Sequence, residues 1–181
     1  YPNVYFGHAT GYIQSENTEN YMGRAYEARY LAGIVAAMNS PTGKIGYVAA
    51  MQIPEVIRGI NAFTLGVRSV NPNATVTVKW TNTWFDVTIE KATALELINS
   101  GCDLIAQHAD STAPQIAAEE KGVKAIGYNS STPDAAPTAY LTAPLFHWDV
   151  FYKNDVESIM NGTWQPKSYW GGLKDGMVSL D

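Results

Sequence analysis

Short apolar segments alternate along the chain with longer segments in which apolar residues recur at helical spacing. The short segments predict β-strands and the longer ones predict amphipathic helices. Strands are expected over residues 4–8, 44–49, 75–80, 103–107, 123–128 and 140–143. Helices are expected over residues 17–38, 54–70, 87–99, 112–121 and 147–160. The tail, residues 164–181, is rich in Gly and Trp and is expected to be irregular or strand-like.

Residues that start and stop helices support these boundaries. Pro54 suits the first turn of the second helix, and Asp86 is placed to cap the third. Gly122 suits the left-handed position that closes the fourth helix. The buried face of the third helix is expected to hold Ile89, Ala92, Leu95 and Ile98.

Strands separated by helices of this length need crossover connections, which favour a parallel, doubly wound α/β sheet. In an open parallel sheet, ligands bind beyond the carboxyl ends of the strands. That rule selects five polar or aromatic stretches, residues 8–11, 51–54, 82–86, 108–112 and 128–131. Their composition is that of a cleft for a small molecule. Thr10 lies in the first of them.

Trp84 and Phe85 stand between a strand and a helix cap. An exposed ring in such a loop stacks on a flat ligand, whereas a buried ring belongs to the core. Tyr128 and Asn129 also follow a strand, and two interpretations remain open for them. They form a plain turn, or they add a hydroxyl and an amide to the ligand site.

The stretch from His108 to Thr112 follows a strand and opens a helix. Its side chains and helix amides suit hydrogen bonding to the polar edge of a ligand, which makes His108, Asp110, Ser111 and Thr112 candidate site residues. The alternative is structural. Asp110 or Ser111 then caps the helix, and His108 is a buried polar residue with satisfied hydrogen bonds.

Composition narrows the class of protein. The chain is 46% hydrophobic and 16% charged, so it is able to build a core. Its net charge of −5 and pI of about 5.1 argue against nucleic acid or an anionic membrane surface as the main partner. No apolar run approaches the roughly 20 residues that a membrane helix needs.

We expect neither catalysis nor a metal nor a cofactor. The sequence carries no nucleotide-binding glycine loop, serine-hydrolase elbow, zinc-protease motif or Cys-x-x-Cys pair. His108 and Asp110 are too few ligands for a metal site, and His8 and His147 have no sequence link to them. The single cysteine, Cys102, excludes an internal disulfide and is expected to be packed at the start of a buried strand.

A set of short stretches spans essentially the whole chain in a specific order. They are YPNVYF (1–6), YEARYLAG (26–33), GKIGYV (43–48), INAFxxGxxSVNP (60–72), WFD (84–86), GCDLI (101–105), IGY (126–128), GTW (162–164) and KDG (174–176). In order and spacing they resemble the basic-membrane-protein (BMP) family of ABC-transporter substrate-binding lipoproteins.

The resemblance implies a type I periplasmic-binding-protein fold, in which two α/β lobes close on a ligand. Residues 1–40 then belong to the N-terminal lobe and hinge, residues 41–145 form the C-terminal lobe, and residues 146–181 form a C-terminal helix and crossover tail. It also implies that the chain is part of a longer protein, with a signal peptide and lipid-bearing cysteine before Tyr1. The helix at 17–38 is then expected to show apolar surface to the missing part.

The resemblance further implies a non-enzymatic receptor that binds a purine-type ligand between the lobes and delivers it to an ABC permease. Such a receptor works at the periplasmic or extracellular face of the membrane, held by its lipid anchor. The alternative is a ligand-sensing domain of a transcriptional or signalling regulator on the same fold. The missing N-terminus decides between them, through a lipobox or a helix-turn-helix.

The ring that contacts the base in the family falls on Trp84. The family's aspartate after Ile-Gly falls on Asn129, and a ribose-binding lysine falls near Phe146. Both replacements remove charged ribose contacts. The resemblance therefore favours a bare nucleobase such as adenine over a nucleoside.

Overall fold

The computed structural model describes all 181 residues and divides into two compact units. The first unit comprises Tyr1–Ala25 and Phe146–Ser179, and the second comprises Tyr26–Leu145 and Leu180–Asp181. The division near the N-terminus falls after Ala25, and the assignment of residues 1–40 to an N-terminal lobe and hinge, which the resemblance implies, stays a prediction. None of the helices is both long enough and apolar enough to cross a membrane.

Ten strands and five α-helices follow one another along the chain. The strands are β1 (Phe6–Ala9), β2 (Thr18–Gly23), β3 (Lys44–Ala49), β4 (Thr75–Trp80), β5 (Leu104–His108), β6 (Lys124–Ile126), β7 (Tyr140–Thr142), β8 (Pro144–Phe146), β9 (Ser168–Gly171) and β10 (Val178–Leu180). The helices are α1 (Ala25–Met38), α2 (Pro54–Val70), α3 (Val87–Asn99), α4 (Ala113–Lys121) and α5 (Trp148–Met160), with a 3-10 turn at Pro133–Ala135.

The second unit is built on a five-stranded parallel sheet in the order β4-β3-β5-β6-β7. Helices α1 and α2 contribute to the core on one face of the sheet, and α3 and α4 contribute to the core on the other. Strand β3 alternates between them, since Tyr47 belongs to the first core and Val48 to the second. The predicted doubly wound α/β architecture is confirmed.

The first unit holds a three-stranded parallel sheet in the order β1-β2-β9. Helix α5 covers part of it, since the Tyr21 and Phe151 rings stack at 4.1 Å between centroids and both pack with the buried Met177. Strands β8 and β10 form a separate two-stranded sheet, and the chain passes between the units within each of these two strands. The predicted strand-like tail is confirmed in β9 and β10.

Most predicted boundaries are confirmed where a local signal marks them. Strands β3 and β4 and helix α2 occupy the predicted residues, with Pro54 in the first turn. The Asp86 carboxylate caps α3 by accepting from the backbone N–H groups of Thr88 and Ile89. Gly122 closes α4 in a left-handed conformation. Cys102 is buried as expected, and its burial raises the pKa of its thiol.

The helix predicted over residues 17–38 is wrong in its first third. Residues 18–23 form β2, the central strand of the first unit's sheet, and α1 begins only at Ala25. The apolar residues at helical spacing (Tyr26, Tyr30, Ile34 and Met38) lie entirely within α1. Strand β2 is specified by its pairing with β1 and β9, and β9 is distant in sequence, so local periodicity does not reveal it.

The predicted buried face of α3 is wrong for Ile89 and Ala92 and confirmed in part for Leu95 and Ile98, which are partly buried against the core. Ile89 and Ala92 are exposed. The fully buried residues are the sequence neighbours of the predicted ones, namely Glu90, Thr93, Ala94 and Leu97. Two of these fully buried residues, Glu90 and Thr93, are polar, so the apolar pattern did not select them. The buried Glu90 carboxyl is held by hydrogen bonds from two loops at the candidate site.

Helices α1 and α2 meet through two glycines. A Cβ on Gly66 would lie 1.9 Å from the Tyr30 carbonyl oxygen, and a Cβ on Gly33 would lie 2.1 Å from the Phe63 carbonyl oxygen. Each distance is far below van der Waals contact. The backbones of α1 and α2 therefore touch at these two positions, and only glycine leaves room for that contact. This contact fixes α1, and with it Arg29, against α2.

Candidate ligand-binding site

Strands β3, β4, β5 and β6 run parallel, so their carboxyl ends lie at one edge of the second unit's sheet. The loop after β4 is tied to the loop after β3, because Asn82 N–H donates to the Ala50 carbonyl at 2.9 Å. It is tied to the loop after β5 as well, because Asp110 N–H donates to the Trp84 carbonyl at 3.0 Å. Trp84 is therefore positioned through its backbone.

The buried Glu90 carboxylate connects the loop after β4 to the loop after β5. Its Oε1 accepts from Asp86 N–H at 2.9 Å, and its Oε2 accepts from the Ser111 N–H at 3.1 Å and the Ser111 hydroxyl at 2.6 Å. The Ser111 oxygen in turn accepts from Ala113 N–H at 3.2 Å. These bonds support the capping interpretation of Ser111, since its hydroxyl is engaged in holding the loop and the start of α4. Thr112 stands at the N-cap without a side-chain cap bond.

Planar side chains contact one another in a row along this sheet edge. The His108 ring lies 4.3 Å from the Tyr128 ring and 6.2 Å from the Trp84 ring, between centroids. The Arg29 guanidinium carbon lies 4.5 Å from the centre of the Tyr128 ring, a cation–π contact. Trp84 is the outermost member, with 40% of its surface exposed.

His108 is 2% exposed and neither ring nitrogen has a hydrogen-bond partner. Burial, together with the charge of Arg29, lowers the pKa of its imidazole well below the usual range. His108 is therefore neutral at physiological pH, with one donor and one acceptor nitrogen. The alternative prediction of a histidine with satisfied hydrogen bonds does not describe it.

Arg29 is fully buried in α1, and its Nη1 donates to the Gln107 carbonyl at 2.7 Å. Glu55, in the first turn of α2, places its Oε1 3.8 Å from His108 Nε2. Because His108 is neutral, this approach is not an ion pair. Burial raises the pKa of the Glu55 carboxyl, and the guanidinium groups of Arg29 and Arg58 oppose that rise.

Sequence reasoning missed both Arg29 and Glu55. Arg29 is the basic residue of the otherwise mostly apolar helix α1, and a lone charge on an apolar face was the available signal. Glu55 stands one position beyond the selected stretch at 51–54, on the first turn of a helix, where a carboxylate is commonly explained by the helix dipole alone.

The structure brings eight of the nine predicted site residues to this edge. Trp84, Phe85 (64% exposed), Asp110 and Asn129 are exposed. Tyr128 and Thr112 are half-buried, whereas His108 and Ser111 are buried. Asn129 has a positive φ of 61°, which asparagine tolerates. Burial raises the pKa of the Asp110 carboxyl, and the nearby Glu90 adds to the rise.

Thr10 belongs to the first unit. It is exposed, its φ is 60°, and its N–H donates to the Tyr21 carbonyl at 2.9 Å. A β-branched residue in this conformation is uncommon. It marks Thr10 as a strained position of the first unit's own sheet edge, and the ligand role of Thr10 stays a prediction.

The second unit belongs to the doubly wound α/β class, with aromatic side chains at one edge of its sheet, and comparison with known proteins identifies the family of the chain. The sequence model of the Bmp family, which describes PnrA-like ABC transporter substrate-binding proteins, matches residues 1–181. The chain therefore belongs to this family. A solved solute-binding protein of an ABC transporter system from Aeropyrum pernix K1 has the same fold, with a TM-score of 0.90 at 22% identity over 100% of this chain and 55% of that one.

Two relatives are similar along the full chain. A Haloferax volcanii protein, provisionally named an ABC transporter glucose-binding protein, is 48% identical over 181 residues, which are 100% of this chain and 46% of its own length. A purine-binding protein from Brucella abortus is 42% identical over 180 residues, 99% of this chain and 51% of its own. The chain thus spans about half the length of these relatives.

Proposed function

We propose that the polypeptide carrying this chain is the solute-binding receptor of an ABC importer and binds a purine-type ligand. The receptor delivers the ligand to a permease, at the periplasmic or extracellular face of the membrane and held there by a lipid anchor. The observation that carries the ligand class is the exposed Trp84 ring beside the neutral His108 and Tyr128. Stacking of a base on such a ring contributes about 1–3 kcal/mol.

Membership of the PnrA-like family supports the transport role. The relatives' names point to two ligands, a purine and glucose. The chemistry of the sheet edge favours the purine. Glucose carries hydroxyl groups around the rim of its ring and requires many polar partners there. The exposed side chains here include two large rings, Trp84 and Phe85, and fewer polar groups, among them Asp110 and Asn129.

A bare base is favoured over its nucleoside. Position 129 carries an amide where the resemblance places an aspartate, so the carboxylate that the resemblance assigns to ribose hydroxyls is missing from this position. Position 146 carries a phenylalanine where it places a lysine, and the Phe146 ring stacks on Trp148 at 4.7 Å. Hydrogen bonds to charged groups are stronger than those between neutral groups, so their loss weakens the binding of a sugar moiety.

Isothermal titration of the complete polypeptide with adenine, adenosine and glucose tests the proposal. Adenine is expected to bind at least as tightly as adenosine, because the ribose finds no charged partner at positions 129 and 146. Glucose is expected to give no binding heat. A clear preference for adenosine would refute the base-only assignment, and saturable binding of glucose alone would refute the purine assignment.

A further inference from the structure

Glu55 is the carboxylate that reaches the sheet edge from helix α2. Its side chain is 25% exposed, so it contacts solvent, and its Oε1 lies 3.8 Å from the buried ring of His108. His108 also adjoins Trp84, with 6.2 Å between the ring centres. Glu55 and the exposed stacking ring are thus neighbours of the same imidazole.

The surroundings of Glu55 leave its carboxyl available to a ligand. The contact described for it is the long approach to His108, whose neutral imidazole does not form an ion pair with it. Burial raises the pKa of the Glu55 carboxyl, and Arg29 and Arg58 oppose that rise because their charges favour the ionised, acceptor-only form. A half-buried acceptor without a short hydrogen bond needs a donor to offset its partial desolvation.

We propose that Glu55 is a specificity-determining residue, which accepts a hydrogen bond from the exocyclic amino group of a base stacked on Trp84. This inference rests on the purine-binding function proposed above. A carboxylate oxygen has only lone pairs to offer. It therefore attracts an amino group and repels an oxo group at the same ring position, and the site selects amino-purines over oxo-purines.

The variant Glu55→Gln tests this selection. The amide keeps the shape of the carboxyl, and its NH2 is able to donate to an oxo group that the carboxylate repels. Adenine and hypoxanthine, which differ in the group on C6 and in the proton on the adjacent N1, are titrated by calorimetry into the wild-type polypeptide and the variant. We expect the wild type to prefer adenine, and Glu55→Gln to reduce the adenine-to-hypoxanthine affinity ratio roughly ten- to hundred-fold.

The matched control is Glu96→Gln. Glu96 is an exposed carboxylate of α3 that pairs with Lys79, and its removal is expected to leave the ratio unchanged. A second variant, Glu55→Ala, removes the acceptor and is expected to weaken adenine binding and to strengthen hypoxanthine binding, because the repulsion of the oxo group is lost. Thermal unfolding of each variant establishes that it is folded, so that a lost preference is not a lost fold.

The outcomes separate the two proposals. If the wild type binds neither base, the purine-binding function fails and the role of Glu55 fails with it. If the wild type binds adenine and Glu55→Gln retains the wild-type ratio, the role of Glu55 is overturned while the function stands. A wild type that prefers hypoxanthine over adenine would also overturn the role of Glu55.

Discussion

Replacing Gly66 by alanine is expected to lower the free energy of unfolding by about 3 kcal/mol or more. The added Cβ would lie 1.9 Å from the carbonyl oxygen of Tyr30 and 2.9 Å from its carbonyl carbon. These are backbone atoms of α1, so relief requires the two helices to separate, and overpacking of this kind exceeds the usual cost of an inserted methyl group. Urea unfolding followed by circular dichroism measures the difference.

The same helix supplies the control. A Cβ on Gly59 meets its nearest neighbours, Arg29 Nε and His108 Nδ1, at 3.7 Å, which is ordinary contact. Gly59→Ala is therefore expected to be neutral or to stabilise the protein by up to about 1 kcal/mol through helix propensity. Equal effects of the Gly66 and Gly59 substitutions would contradict the backbone contact between α1 and α2.

Replacing Trp84 by alanine is expected to weaken ligand binding by about 1–3 kcal/mol, which is roughly ten- to hundred-fold in Kd. The loop itself should persist, because it is held by the Trp84 carbonyl, by Asp86 and by Glu90, and not by the Trp84 ring. Titration calorimetry with adenine measures the loss. Unchanged unfolding by urea would confirm that the effect is confined to binding.

Trp84→Phe is the matched variant for this prediction. It keeps a flat face of smaller area and is expected to retain most of the affinity that Trp84→Ala loses. An alanine variant that binds adenine as tightly as the wild type would remove Trp84 from the site. A phenylalanine variant as weak as the alanine variant would show that stacking is not the source of the affinity.

The parallel sheet was predictable because its strands and helices follow local patterns of apolar spacing and helix-capping residues in the sequence. Helix α2 combines a proline in its first turn with an unbroken apolar face, and the Asp86 cap is a short-range motif. The rule that places ligands beyond strand ends then selected the loops of Trp84, His108 and Tyr128 without knowledge of any distance. Their proximity at the observed sheet edge follows from parallel pairing.

Other features depend on contacts between distant residues and left no local pattern. Strand β2 exists because β1 and β9 pair with it. Glu90 of α3 is buried where its carboxylate accepts hydrogen bonds from Ser111, which lies in the loop after β5. Arg29 reaches the Gln107 carbonyl across 78 positions of the sequence. No periodicity within a single element indicates bonds of this kind.

Identification of the bound molecule tests the central claim most directly. The complete polypeptide is purified from its native host without added ligand and then denatured, and the released small molecule is examined by mass spectrometry and ultraviolet absorbance. We predict a purine base, absent from a parallel preparation of the Trp84→Ala variant. Release of a hexose, or of a molecule without the ultraviolet spectrum of a purine, would contradict the assignment of this sheet edge to a flat heterocycle.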